Sequence, residues 1–240
     1  MSKNLKLFLG ISYLIILFAF LYFIFTGIEI SRLNDFSYYK ELQEDLDFFV
    51  TNNKITNLIY FFVFAICWVA LLGFGSPILI ISGILFGQWL GTLISVVSIS
   101  IGALILYSIG NFFFRDLVKK ILKQKFDKYI LLFKKNEFYY FFIYRFIGGL
   151  GVPFGLQNLI PILFGMKKLN YFLSSFFGFI PGFFIFNTIG AGLNSYVEQT
   201  DEFSMIDFVL SPDIYYPIMM FAFLMIISLI LKKKFFNDKN

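Results

Sequence analysis

Charged positions in this chain come in short blocks, and the stretches between them are long and apolar. Residues 7–28, 170–193 and 214–231 carry no Asp, Glu, Lys or Arg. About 20 apolar residues cross the roughly 30 Å of bilayer hydrocarbon. Each stretch therefore predicts a membrane-spanning helix, the last one extended by 211–213. The first is longer than a signal-peptide core and has no small-residue cleavage site after it, so it predicts a retained anchor. The stretch 58–114 is uncharged over 57 residues, too long for two ordinary spans and without turns to separate three.

The sign of the charge blocks orients these elements. Residues 1–6, 115–138, 167–168 and 232–240 are basic, whereas 29–57 and 194–213 are mainly acidic. Basic loops stay on the cytoplasmic side, so both termini are expected there. Residues 58–114 must then cross a net odd number of times. A dip over 58–90 followed by a span over 91–114 satisfies this, and 139–166, which begins and ends inside, reads as a second dip.

The two expected dips share sequence. Gly73-Phe74-Gly75-Ser76-Pro77 recurs as Gly149-Leu150-Gly151-Val152-Pro153, and Ile84-Leu85-Phe86-Gly87 recurs as Ile162-Leu163-Phe164-Gly165. Proline removes a backbone donor and glycine permits reversal, so hairpin breaks are expected at Gly73, Gly75 and Pro77, at the second copy, and at Pro181. The predicted fold is an all-α polytopic membrane protein built on an inverted repeat of amphipathic helix, re-entrant hairpin and transmembrane helix. The expected divisions are 1–35 (anchor and outer loop), 36–193 (core, with repeats 36–114 and 115–193) and 194–240 (outer loop, last span and basic tail). Ordinary kinked spans packed on small residues are the alternative.

Two amphipathic segments open the repeats. Leu117, Ile121, Leu122, Phe126, Ile130 and Phe133 form an apolar stripe among lysines, which suits a helix on an anionic leaflet. Tyr39, Leu42, Leu46 and Phe49 predict an acidic counterpart on the outer side.

Composition removes several kinds of chemistry. Hydrophobic residues make up 59% of the 240 positions and charged ones 15%, which fits a membrane protein. There is no histidine and one cysteine, Cys67. Zinc, haem and iron–sulfur sites, imidazole-assisted nucleophiles and an internal disulfide are therefore not expected, and neither is any cofactor. The net charge of +5 reflects lysines interleaved with apolar residues, not a nucleic-acid surface.

Arg145 is the only charge inside an apolar segment of the expected spans and dips. An intramembrane arginine usually faces a cavity or a partner, and the Gly-rich break after it offers exposed backbone N–H groups to an anion. Snorkelling to the inner surface is the competing reading. The expected substrate-binding set is Arg145, Gly149, Gly151, Pro153, Gln157 and Asn158, with Gln157 and Asn158 suited equally to capping the break. Asn187 reads as an interhelical hydrogen bond, and Trp68, Trp89, Tyr215 and Tyr216 as interface anchors.

The run from Arg145 through Gly148-Gly149-Leu150-Gly151-Val152-Pro153-Phe154, with Asn158, Gly165, Phe172, Gly178, Pro181-Gly182 and Gly190, resembles the DedA/VTT superfamily, also called the SNARE-associated Golgi protein family. Gly75, Pro77, Gly83, Phe86-Gly87, Gly91 and Gly102 follow the same family's order in the first half. The pattern is closer to the branch lacking the DedA acidic residues, since 58–114 has no acid and no second base follows Arg145 before Lys167. The resemblance implies paired re-entrant hairpins and transport or scrambling of a lipid with an anionic head group, phospholipid or polyprenyl phosphate, in the bacterial inner (plasma) membrane. Membrane lipids are the expected partners, nucleic acid is not, and self-association is left open. A small-anion transporter and a non-transporting assembly factor are the competing functions. An enzyme is not expected, because no apolar segment supplies a general base.

Overall fold

The computed structural model describes residues 3–26, 37–38, 40–41, 44–45, 48, 52–72, 75–200 and 204–235. Every regular element among them is helical. In order these are α1 (Lys3–Thr26), α2 (Lys54–Leu72), α3 (Ser76–Phe113), α4 (Arg115–Lys135), α5 (Glu137–Phe146), α6 (Phe154–Leu159), α7 (Lys168–Gln199), α8 (Met205–Leu210) and α9 (Pro212–Phe235). Tight single-turn segments at Gly148–Gly151 and Ile160–Leu163 flank α6. Four helices, α2, α3, α7 and α9, are long and apolar enough to cross a membrane. The 24-residue α1 covers the expected anchor, with Gly10–Tyr22 as its described apolar stretch.

Backbone chemistry sets the breaks. Pro77 sits in the first turn of α3, where its missing N–H has no helical partner to lose. Pro153 plays the same part as the N-cap of α6. The matched glycines ending each shared word both turn left-handed, Gly87 at φ 71° and Gly165 at φ 68°. Gly87 thus divides α3 into a short limb, 76–86, and a long limb, 88–113. The expected boundary near residue 90 moves to Gly87 because only a glycine takes that φ without strain.

Pro181 is not a hairpin break. α7 continues through it for 32 residues. One proline removes one i to i−4 hydrogen bond, to the Phe177 carbonyl, and a long packed helix absorbs that loss. Gly73 and the acidic-helix positions Tyr39, Leu42, Leu46 and Phe49 lie outside the described residues. In α4, Phe133 turns inward and stacks on Phe164 at 4.8 Å, while Leu117 and Ile121 stay exposed.

The most extensive packing joins α3 to α7. Glycines allow the backbones to meet: a Cβ on Gly83 would fall on the Asn187 carbonyl, and one on Gly190 on the Ile80 carbonyl. Ser95 Oγ donates to Ser82 Oγ at 2.8 Å, and Ser82 Oγ donates to Asn187 Oδ1 at 2.8 Å. All three residues are fully buried. Asn187 is therefore the interhelical link its position suggested.

One contact recurs between the two halves. A Cβ on Gly102 would lie 2.8 Å from the Ile66 carbonyl oxygen and 2.9 Å from Val69 Cβ. A Cβ on Gly178 would lie 3.1 Å from the Phe142 carbonyl oxygen and 2.5 Å from Arg145 Cβ. Each residue of the second set follows its counterpart by 76 positions, so Val69 occupies in the first half the place of Arg145 in the second.

Gly83→Ala should therefore lower stability by about 1–3 kcal/mol through overpacking of the α3–α7 crossing. Gly10→Ala, with nothing within 4 Å of an added Cβ, should not. Thermal unfolding of the two variants in one detergent checks this, and equal melting temperatures would refute it.

Candidate functional site

Arg145 lies in the last turn of α5, and the sequence around that helix fixes where its side chain goes. Asn136 caps α5 by accepting from the Tyr139 amide at 3.1 Å. Glu137 then accepts from the Lys167 amide at 3.2 Å and from Asn170 Nδ2 at 2.5 Å, tying the start of α5 to the start of α7. Gly178 lets α7 come against the Arg145 Cβ. The side chain is 3% exposed. It points into the protein, and the snorkelling reading fails on that burial.

The guanidinium meets neutral oxygens. Arg145 Nη1 donates to Gln157 Oε1 at 3.1 Å, and Nη2 donates to Asn158 Oδ1 at 2.5 Å and to Tyr171 Oη at 2.9 Å. Tyr171 in turn donates to Asn158 Oδ1 at 3.0 Å. The rings of Phe141 and Phe179 lie 4.8 Å from the guanidinium carbon, and those of Phe154 and Tyr171 at 5.5 and 5.6 Å. Aromatic faces attract a cation most strongly when water is excluded. Glu137, the nearest acid along α5, is eight residues away, about 12 Å along the helix, and is engaged with α7. No carboxylate among the described residues pairs with Arg145.

Two donors at this centre are unused. Arg145 Nε and Asn158 Nδ2 are buried without a hydrogen-bond partner. A buried donor left unmade costs about 1–3 kcal/mol, more for a charged group. The site therefore has donor capacity to spare and a positive charge without its anion.

The break before α6 is built by glycines. Gly148, Gly149 and Gly151 take φ of 71°, 71° and 78°. Gln157 Nε2 donates to the Val152 carbonyl at 2.6 Å and to the Gly148 carbonyl at 3.3 Å, satisfying the interrupted backbone from within. A Cβ on Gly149 would overlap the Gln157 amide. The fold thus gathers Arg145, Gly149, Gln157 and Asn158 into one contact set, with Gly151 and Pro153 shaping the turn beside it. Gly75 and Pro77 belong to the other break. No group of three or more Asp, Glu, His or Cys able to hold a metal occurs among the described residues.

A model of the VTT domain matches residues 73–192, half of the chain. The chain belongs to the VTT domain family. No curated protein and no solved structure matches it. The VTT region runs from the first break to the far part of α7, so it contains the whole Arg145 centre and excludes α1 and α9. Membership, with four helices apolar enough to span, makes this an integral membrane protein.

Tyr171 was not singled out by the sequence, although it is the third oxygen on the guanidinium. The chain has 14 tyrosines and 37 phenylalanines, and no local pattern separates Tyr171, Phe141 or Phe179 from the rest.

Tyr171→Phe keeps the ring stacked on Tyr107 at 4.6 Å and removes one acceptor from Arg145 and one donor to Asn158. It should destabilise the protein by about 1.5–3 kcal/mol, the range for a hydrogen bond to a charged group. Chemical denaturation in mixed micelles measures it, and a change below about 0.5 kcal/mol would remove the hydroxyl from the network.

Proposed function

We propose that this VTT protein moves a lipid with an anionic head group across the membrane, with the head held at Arg145 and the acyl or prenyl tails left in the bilayer. The observation that carries the reading is the Arg145 guanidinium, buried without a carboxylate among the described residues, its own Nε and the neighbouring Asn158 Nδ2 both unused. Donors without acceptors suit a phosphate, and an arginine fork suits it better than a point charge. Gly149, Gly151 and Pro153 shape the break that would open to admit it, and Gln157 and Asn158 would hand their bonds to Arg145 over to the phosphate oxygens. In this reading the two breaks enter from opposite faces, which the recurrence of the Gly102 and Gly178 contacts supports. We read the protein as a carrier and not an enzyme, since its described intramembrane polar groups are amides, hydroxyls and one arginine.

The first test is transport by purified protein in liposomes containing fluorescent phospholipid or polyprenyl phosphate. Wild type should accelerate transbilayer movement. Arg145→Lys, which keeps the charge and loses the fork, should lose about tenfold or more, the equivalent of one charge-assisted hydrogen bond. Equal rates for Arg145→Lys and wild type would sink the head-group role. Release of trapped inorganic phosphate without lipid movement would favour a small-anion carrier, and neither activity a role in assembly.

We read the protein as one of a bacterial plasma membrane, on its family resemblance, with both termini cytoplasmic because residues 1–6, 115–138 and 232–240 are basic and 29–57 and 194–213 mainly acidic. Single cysteines at Asn53, Lys123 and Gln199, in a chain with Cys67 replaced, can be labelled by an impermeant thiol reagent. Positions 53 and 199 should label from outside intact cells. Labelling of 123 from that side would invert the topology.

A further inference from the structure

α1 lies outside the VTT region, yet it reaches the first break. Tyr13 Oη donates to the Leu71 carbonyl at 2.7 Å across 58 residues of chain. Phe20 of the same helix packs on Phe64 and Trp68 of α2, with ring centroids 6.1 and 6.2 Å away. Leu71 sits in the last turn of α2, where carbonyls have no helical N–H left to take. In hydrocarbon such a group needs a partner from elsewhere in the protein.

The second break solves the same problem internally. Gln157 donates to the Gly148 and Val152 carbonyls from the helix that follows the turn. The 76-residue register that equates Val69 with Arg145 and Pro77 with Pro153, and widens to 78 only at Ile84–Gly87 and Ile162–Gly165, puts Ile81 at the position of Gln157 and Leu72 at that of Gly148. An isoleucine has no donor. The first half thus has no side-chain donor at the position of Gln157, and the hydroxyl on α1 bonds the carbonyl one residue before the one such a cap would hold.

We propose that Tyr13 is a positioning residue for the first break: it replaces, from α1, the amide cap that Gln157 supplies to the second. On this reading α1 is part of the working core and not only an anchor, and its displacement loosens one break while leaving the other intact. The proposal rests on the equivalence of the two halves and is independent of which lipid, if any, is moved.

Hydrogen exchange of the full chain in lipid nanodiscs tests it, with Tyr13→Phe as the variant because it keeps the ring. Amides of 75–81 should exchange about tenfold faster, the loss expected for one net hydrogen bond, while those of 152–158 stay at wild-type rates. Adding Ile81→Gln to Tyr13→Phe should slow exchange at 75–81 again. Lipid movement by Tyr13→Phe should fall with protein yield unchanged and the melting temperature lowered by only about 2–4 °C, the shift expected for one net hydrogen bond. Unchanged exchange at 75–81, or an equal rise at both breaks, would overturn the positioning role. Failure of Ile81→Gln to restore protection would overturn the equivalence with Gln157. A wild-type chain that moves no lipid would remove the proposed function and leave the exchange result standing.

Discussion

A helix that breaks inside a packed protein must give its freed carbonyls and amides to other protein groups, and the surroundings of Arg145 are organised around that demand. Each half is interrupted twice before its long helix, at the G-x-G-x-P turn and again at a left-handed glycine, Gly87 or Gly165. At the G-x-G-x-P turn of the second half Gln157 serves two carbonyls, and it accepts from the guanidinium that holds Asn158 and Tyr171. Backbone repair and the buried charge are thus one network. A change to Arg145 therefore bears on the shape of the turn as well as on any ligand.

The two halves share one close glycine contact but not its chemistry. Gly102 fits over Val69 as Gly178 fits over Arg145. Around Ser82 the bonds run among hydroxyls and one amide, neutral throughout. Around Asn158, the residue in the register of Ser82, the bonds converge on a cation. Among the described residues one crossing is built around a buried cation and the other is neutral, so the two crossings differ in electrostatics although their close glycine contacts correspond.

What could be read from sequence was whatever local backbone rules decide. Gly75-Ser76-Pro77 and Gly151-Val152-Pro153 predict a stop and restart because proline and glycine act on their own peptide units wherever they stand. Pro181 looked equivalent and was not, because a helix that packs along its length tolerates one missing donor. The inward aim of Arg145 was open in the sequence, since inward and snorkelling side chains have the same neighbours along the chain. It was settled by Gly178, 33 positions later, and by Glu137 being engaged with Asn170. Tyr171 and the surrounding phenylalanines were illegible because the chain is saturated with aromatic residues.

The bond between Ser82 and Asn187 spans 105 residues, which has a consequence for how the protein is made. During synthesis the first half leaves the ribosome with its serines and its glycine-lined groove facing no partner. The groove is filled only when α7 arrives. A chain stalled between α4 and α7 would present a polar seam to the lipid around it, a surface that insertion chaperones and membrane proteases can distinguish from a finished helix bundle.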